Sequence, residues 1–166
     1  MSSPLRTPSR LAFRFGPALQ LASFGLISTL WFAVPVRAAS NDLSTPEALA
    51  QLELRASQAN PREQCFLYTE IIHSMTEKAG KEISDGETEQ AAVTLKQVNR
   101  YAHLIHLNLA RDTKRLKNAE MLMHSTTYRL AQVLHLVSGD DKQTVQDTLK
   151  QLDQVNDELL TQVFSH

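Results

Sequence analysis

The sequence predicts an all-α protein, an antiparallel bundle of four helices following an N-terminal export segment. Three observations carry that expectation. Beyond Pro61 there is no proline, and the only glycines are Gly80, Gly86 and Gly139. Turn formers that sparse leave little room for a multi-strand sheet, which needs a reversal about every 8 to 12 residues. Apolar residues recur at alternating intervals of three and four over most of the chain, the period of one helix face. Finally, start signals precede each periodic stretch, and glycines stand at the ends of two of them.

The first 38 residues read differently from the rest. No Asp or Glu occurs before Asp42, whereas Arg6, Arg10 and Arg14 precede an apolar run from Leu21 to Val34 and the exit Pro35-Val36-Arg37-Ala38-Ala39-Ser40. A basic segment, an apolar core and a small-residue exit in that order describe a secretory signal peptide, with cleavage expected after Ala38. The alternative is an uncleaved membrane anchor, for which Leu19 to Val36 is short. The expected location is periplasmic or extracellular, with an N-terminally anchored form as the alternative.

Removing residues 1–38 takes four of the 17 basic side chains and none of the 18 acidic ones, so the formal charge moves from −1 to −5. An acidic chain without a basic stripe is a poor nucleic-acid binder. Cys65 is the only cysteine, which excludes an intramolecular disulfide and a Cys-x-x-Cys site.

Residues 39–60 are expected to hold a linker and a short helix, and 61–166 the bundle itself. Ser44-Thr45-Pro46-Glu47 supplies a cap, an early proline and a capping-box glutamate, and Leu49, Leu52 and Ala56 give helix 45–59 its stripe. Asn60-Pro61-Arg62-Glu63 repeats the start signal for helix 61–83, with Cys65, Tyr68, Ile72, Met75 and Ala79 on its seam. Ser84-Asp85-Gly86-Glu87 is a turn and a new cap. The next seam counts without a phase change from Ala91 through Leu95, Val98, Ala102, Ile105, Leu109 and Asp112 to Leu116, Ala119, Met123, Thr126, Leu130, Val133 and Val137. That continuity predicts one helix over 87–137, with a break near Asp112 as the alternative; the basic residues after Asp112 would oppose the dipole of a helix starting there. Ser138-Gly139-Asp140-Asp141 opens the last helix, 141–164, whose seam is Leu149, Leu152, Asn156, Leu159 and Val163.

Few residues suggest chemistry. Glu70 and His73 have the Glu-x-x-His spacing of carboxylate-bridged di-metal bundles; His103 and His106 share a helix face, as do Glu120 and His124. Glu70, His73, His103, His106 and His124 are therefore the candidate metal ligands. The heptad phase turns all but His106 outward, and no cofactor is expected. Cys65 falls on a seam, as a small buried hydrophobe does; an intermolecular disulfide is the rival reading. Arg111, Lys114, Arg115 and Lys117 form the densest basic cluster and are the candidate interaction residues. The apolar band of Met121, Leu122, Met123, Leu134, Leu136 and Val137 is wider than one seam needs, as is that of Leu104, Ile105, Leu107 and Leu109. No phosphate loop, catalytic triad order or His-Glu-x-x-His motif occurs. The expected function is a non-enzymatic, exported module for protein–protein contact or self-association, with a homodimer among the outcomes. The alternative is a small metal- or haem-binding bundle.

Overall fold

A computed structural model of the chain describes residues 45–108 and 113–165. The expected signal segment, Arg111 and Asp112 lie outside them. Among the described residues the protein is all-helical, with α1 Pro46–Gln58, α2 Pro61–Ser84, α3 Thr88–Asn108, α4 Leu116–Val133 and α5 Gly139–Phe164.

Local chemistry accounts for the boundaries. The Thr45 hydroxyl accepts from the Ala48 amide at 3.3 Å, and Pro46 occupies the first turn, where its missing N–H costs nothing. Asn60 caps α2 through its backbone carbonyl, which accepts from Glu63 and Gln64, while its side-chain amide donates to the Glu63 carboxylate at 2.9 Å. Gly86, at φ 81°, closes α2: its amide donates to Ile83 and that of Glu87 to Glu82, the paired bonds of a Schellman turn. The chain thereby reverses into α3 within a few residues.

The expected single helix over 87–137 is not what forms. α3 ends at Asn108 and α4 begins at Leu116, after Arg115 has taken a left-handed conformation at φ 57°. The electrostatic objection to a break dissolves because two of the basic residues stand before the helix and are engaged elsewhere. Lys114 Nζ meets Glu63 Oε1 at 2.8 Å, its amide donates to the Arg62 carbonyl at 2.8 Å, and the Arg115 guanidinium lies 3.5 Å from the Phe66 ring centroid. The start of α2 holds the corner.

Helix order also departs from an up-and-down arrangement. α2 packs on α1, α3 and α4, and α5 on α3 and α4, while α3 and α4 do not touch among the described residues. Contacts between α2 and α4 advance together along both helices, from His73–Thr126 through Glu77–Arg129 to Gly80–Val133, so these two run parallel. Asn99–Thr148 and His106–Glu158 show the same for α3 and α5. The core is thus two helical hairpins, α2–α3 and α4–α5, laid side by side in the same direction, with α1 against α2. Antiparallel neighbours occur within the hairpins and parallel ones between them.

The seams hold. Leu49, Leu52 and Ala56, then Cys65, Ile72, Met75 and Ala79, then Ala91, Leu95, Val98, Ala102 and Ile105, then Leu116, Ala119, Met123 and Leu130 are all buried. On α5 the buried line is Val145, Thr148, Leu152, Val155 and Leu159, with Leu149, Asn156 and Val163 half-buried beside it. Because α2 is covered from three sides, its buried face is wider than a heptad stripe and takes in Phe66, Leu67, Thr69, Ile71, Ser74 and Thr76 as well.

Candidate functional site

The wide buried face of α2 changes the position of two candidate ligands. His73, expected to point outward, is half-buried against α4, with Nδ1 2.9 Å from Thr126 Oγ1. The Thr126 hydroxyl donates its hydrogen to the Leu122 carbonyl at 2.7 Å, so His73 Nδ1 is the donor in this contact. Burial pushes the imidazole below its ordinary value, with the Arg129 charge acting the same way and Glu77 opposing. Glu70, one turn earlier, is also half-buried and its Oε2 is buried without a hydrogen-bond partner among the described residues. Burial pushes this carboxyl up, against the pull of Arg55 and Arg115.

The other histidines sit at the surface. His103 and His106 are exposed on α3 with ring centroids 6.2 Å apart, and His106 Nδ1 lies 2.8 Å from Glu158 Oε2 on α5. His124 is exposed on α4. The five candidates are therefore divided between an α2–α4 contact, an α3–α5 contact and open surface. No three His, Cys, Asp or Glu side chains are grouped to hold a metal ion among the described residues.

Cys65 is fully buried, and burial alone pushes its thiol up to about 12, so it is held protonated inside the core. That position removes it from intermolecular pairing while the fold is intact. Of the basic cluster, Lys114 and Arg115 are engaged with α2 as described, and Lys117 is exposed on the first turn of α4.

Two grooves run between the parallel helices. The one beside α5 encloses about 640 Å³ and is walled by charge: His106, Lys150, Asp153, Asp157 and Glu158. Burial and the neighbouring Asp157 raise the Asp153 carboxyl. The groove between α2 and α4 encloses about 790 Å³, with Glu77 and Lys81 on one wall and Tyr128, Gln132 and Leu136 on the other. Its α4 side mixes Tyr128, Val133 and Leu136 with Ser125, Arg129 and Gln132. Tyr128 is 64% and Leu136 69% exposed, and Met121, two turns before Tyr128 on the same stripe, is 60% exposed.

The wide apolar band of the sequence thus divides. Met123 is core, Leu122, Leu134 and Val137 are half-buried, and Met121 and Leu136 face solvent. Sequence reasoning passed over Tyr128. The available signal was its heptad spacing from Met121, a second apolar line running beside the core seam of α4.

No protein-family model, curated protein or solved structure matches this chain. Among the described residues no helix is long and apolar enough to cross a membrane.

Proposed function

We propose that this chain is an exported, non-enzymatic helical protein that works through protein–protein contact. Its framework in this reading is the four-helix core of α2 to α5, released behind a signal segment ending at Ala38. The contact face is the outer stripe of α4. One observation carries the reading: Met121 and Tyr128 on one face of α4, and Leu136 in the turn that follows it, are three large apolar side chains each well over half exposed, and the last two border an open groove. Scattered exposed apolar residues need no explanation, but a row on a single face marks a contact surface. The Glu77–Arg129 ion pair at 2.6 Å spans the groove and the exposed Lys81 stands on its α2 wall, a polar border beside an apolar line.

The export half of the reading is tested by N-terminal sequencing of the chain recovered outside the cytoplasm, which is expected to begin at Ala39. The contact half is tested with a photo-crosslinking amino acid at position 128, compared with the same group at Lys96 on the outer face of α3. Discrete adducts from position 128 alone support the reading. Equal labelling from both positions, or none from either, overturns it.

A further inference from the structure

The two hairpins meet across a polar seam. On its α2–α4 side His73 donates to Thr126 and Glu77 pairs with Arg129. On its α3–α5 side the Asn99 amide group donates to Thr148 Oγ1 at 3.1 Å, the Gln151 amide group donates to the Asn99 carbonyl at 3.1 Å, and His106 meets Glu158. Two polar atoms of the seam are buried without a partner among the described residues, Thr76 Oγ1 beside the α2–α4 groove and Asn99 Oδ1. Each such atom costs stability for as long as it is kept from water, so the closed seam gains less than an apolar one of the same area.

A histidine stands on each side of the seam, and a proton acts on the two sides with opposite sign. His73 faces Arg129 across α2–α4, so an imidazolium there is repelled by the helix opposite. Glu77, which attracts it, is on its own helix and is already tied to Arg129. Glu70, one turn earlier on α2, is under the pull of Arg55 of α1 and Arg115, and among the described residues no charged group of α3 acts on His73. His106 faces Glu158 across α3–α5, where the grooves also hold Asp147, Asp153 and Asp157 against Lys150, with the His103 ring alongside. A proton on His106 therefore draws α5 toward α3. The start of α4 is pinned by Lys114 on Glu63 and Arg115 on Phe66, so α4 can part from α2 only toward its Val133 end.

We propose that the seam is a pH-operated joint: when both histidines take up protons, α4 parts from α2 toward its Val133 end while α5 stays on α3, and the second hairpin tilts on the first. The linkage has the sign this motion requires. Burial and the Arg129 charge hold His73 below its ordinary value of 6.5 in the closed arrangement. As pH falls through 6.5 the parted arrangement therefore takes up the proton more readily and gains population. Parting also opens the burial of Thr76 Oγ1, which then finds a partner in water.

The test places pairs of nitroxide labels on exposed positions of a Cys65→Ala chain. One pair, Ser84→Cys with Gln132→Cys, spans the α2–α4 groove; the other, Lys96→Cys with Gln146→Cys, lies on α3 and α5. Pulsed electron resonance reads both distances from about pH 8 to about pH 5, the range in which histidine titrates. The first distance is expected to lengthen as pH falls and the second to hold, with helicity unchanged. His73→Gln keeps a donor for Thr126 but cannot titrate, and is expected to abolish the lengthening. Arg129→Gln removes the repelling cation and frees Glu77 for the imidazolium, and is expected to shrink it. Arg129 is exposed, so this substitution carries the test if His73→Gln loses helicity at about pH 8. A first distance that ignores pH, or that lengthens as much in the variants as in the parent, overturns the joint. Equal lengthening of both pairs is general loosening of the bundle and overturns it as well.

Discussion

The closest inter-helix approach that can be probed by adding one methyl group is at Gly80. A Cβ built there would stand 3.3 Å from Val133 Cγ2, a few tenths of an ångström inside ordinary contact. Two terms oppose each other in Gly80→Ala. A glycine inside a helix costs about 1 kcal/mol relative to alanine, and forcing a methyl into a filled space costs a similar amount. The single substitution is therefore expected to fall within about 0.5 kcal/mol of the wild type. Val133→Ala removes Cγ2 from the half-buried Val133 and is expected to cost about 1 to 2 kcal/mol. In that background nothing crowds the new methyl, so Gly80→Ala recovers its full propensity gain of about 1 kcal/mol. The coupling between the two sites is then about 1 kcal/mol, measurable by urea denaturation of the four chains of the cycle. Equal effects of Gly80→Ala in both backgrounds would mean that α2 and α4 do not meet here, and the parallel stacking of the hairpins would be refuted with them.

Asn156 is half-buried on α5 and its side-chain oxygen has no partner among the described residues. Asn156→Leu is expected to stabilise by roughly 1 to 2 kcal/mol in the same urea assay, and a loss instead would show that the amide is satisfied. Alkaline pH is expected to destabilise the fold. The Cys65 thiol ionises near its ordinary value of 9.0 in the unfolded chain and only at about 12 in the folded one, so the unfolded state sheds its proton first as pH rises between these values. Tyr101, whose hydroxyl donates to Glu53 at 2.8 Å, is likewise raised to about 12 and acts in the same direction. Stability should be unaffected by Cys65 below pH 9 and fall by on the order of 4 kcal/mol by pH 12 through the thiol alone. Cys65→Ala should reduce that slope, and an unchanged slope would refute the assignment. His73 contributes on the acid side: its folded value lies below 6.5, so as pH falls through 6.5 the unfolded chain takes up the proton first and its share of the stability is lost. His73→Gln should flatten the urea midpoint in that window.

Periodicity made the helices and their buried lines legible, because core positions obey spacing whichever neighbour covers them. It could not reveal the corner between α3 and α4. The connection from Asn108 to Leu116 is close to one heptad long, so Ile105 and Leu116 stay in phase by residue count although the chain turns between them. The same limit explains His73. Heptad counting assigns one buried stripe per helix, but α2 is covered by α1, α3 and α4, and the third neighbour draws His73 onto Thr126. Tyr128 failed to stand out for the converse reason: Met121 and Leu136 fell in an apolar band that residue count alone could not divide, and the contacts of α4 show that no described helix covers that side.

Those contacts also leave the outer side of α4 uncovered among the described residues. In an up-and-down bundle each helix has two antiparallel neighbours and a diagonal partner across the core. Here the diagonal of α4 is α3, and its neighbours are α2 and α5. α2, the corresponding helix of the first hairpin, has α1 as an additional cover, whereas no described helix plays that part for α4. Leu49, Leu52 and Ala56 of α1 show what such a cover brings, a buried apolar stripe on the outside of the hairpin stack. Met121 and Tyr128 on α4, with Leu136 just past its end, are apolar side chains on the second hairpin that no described helix covers.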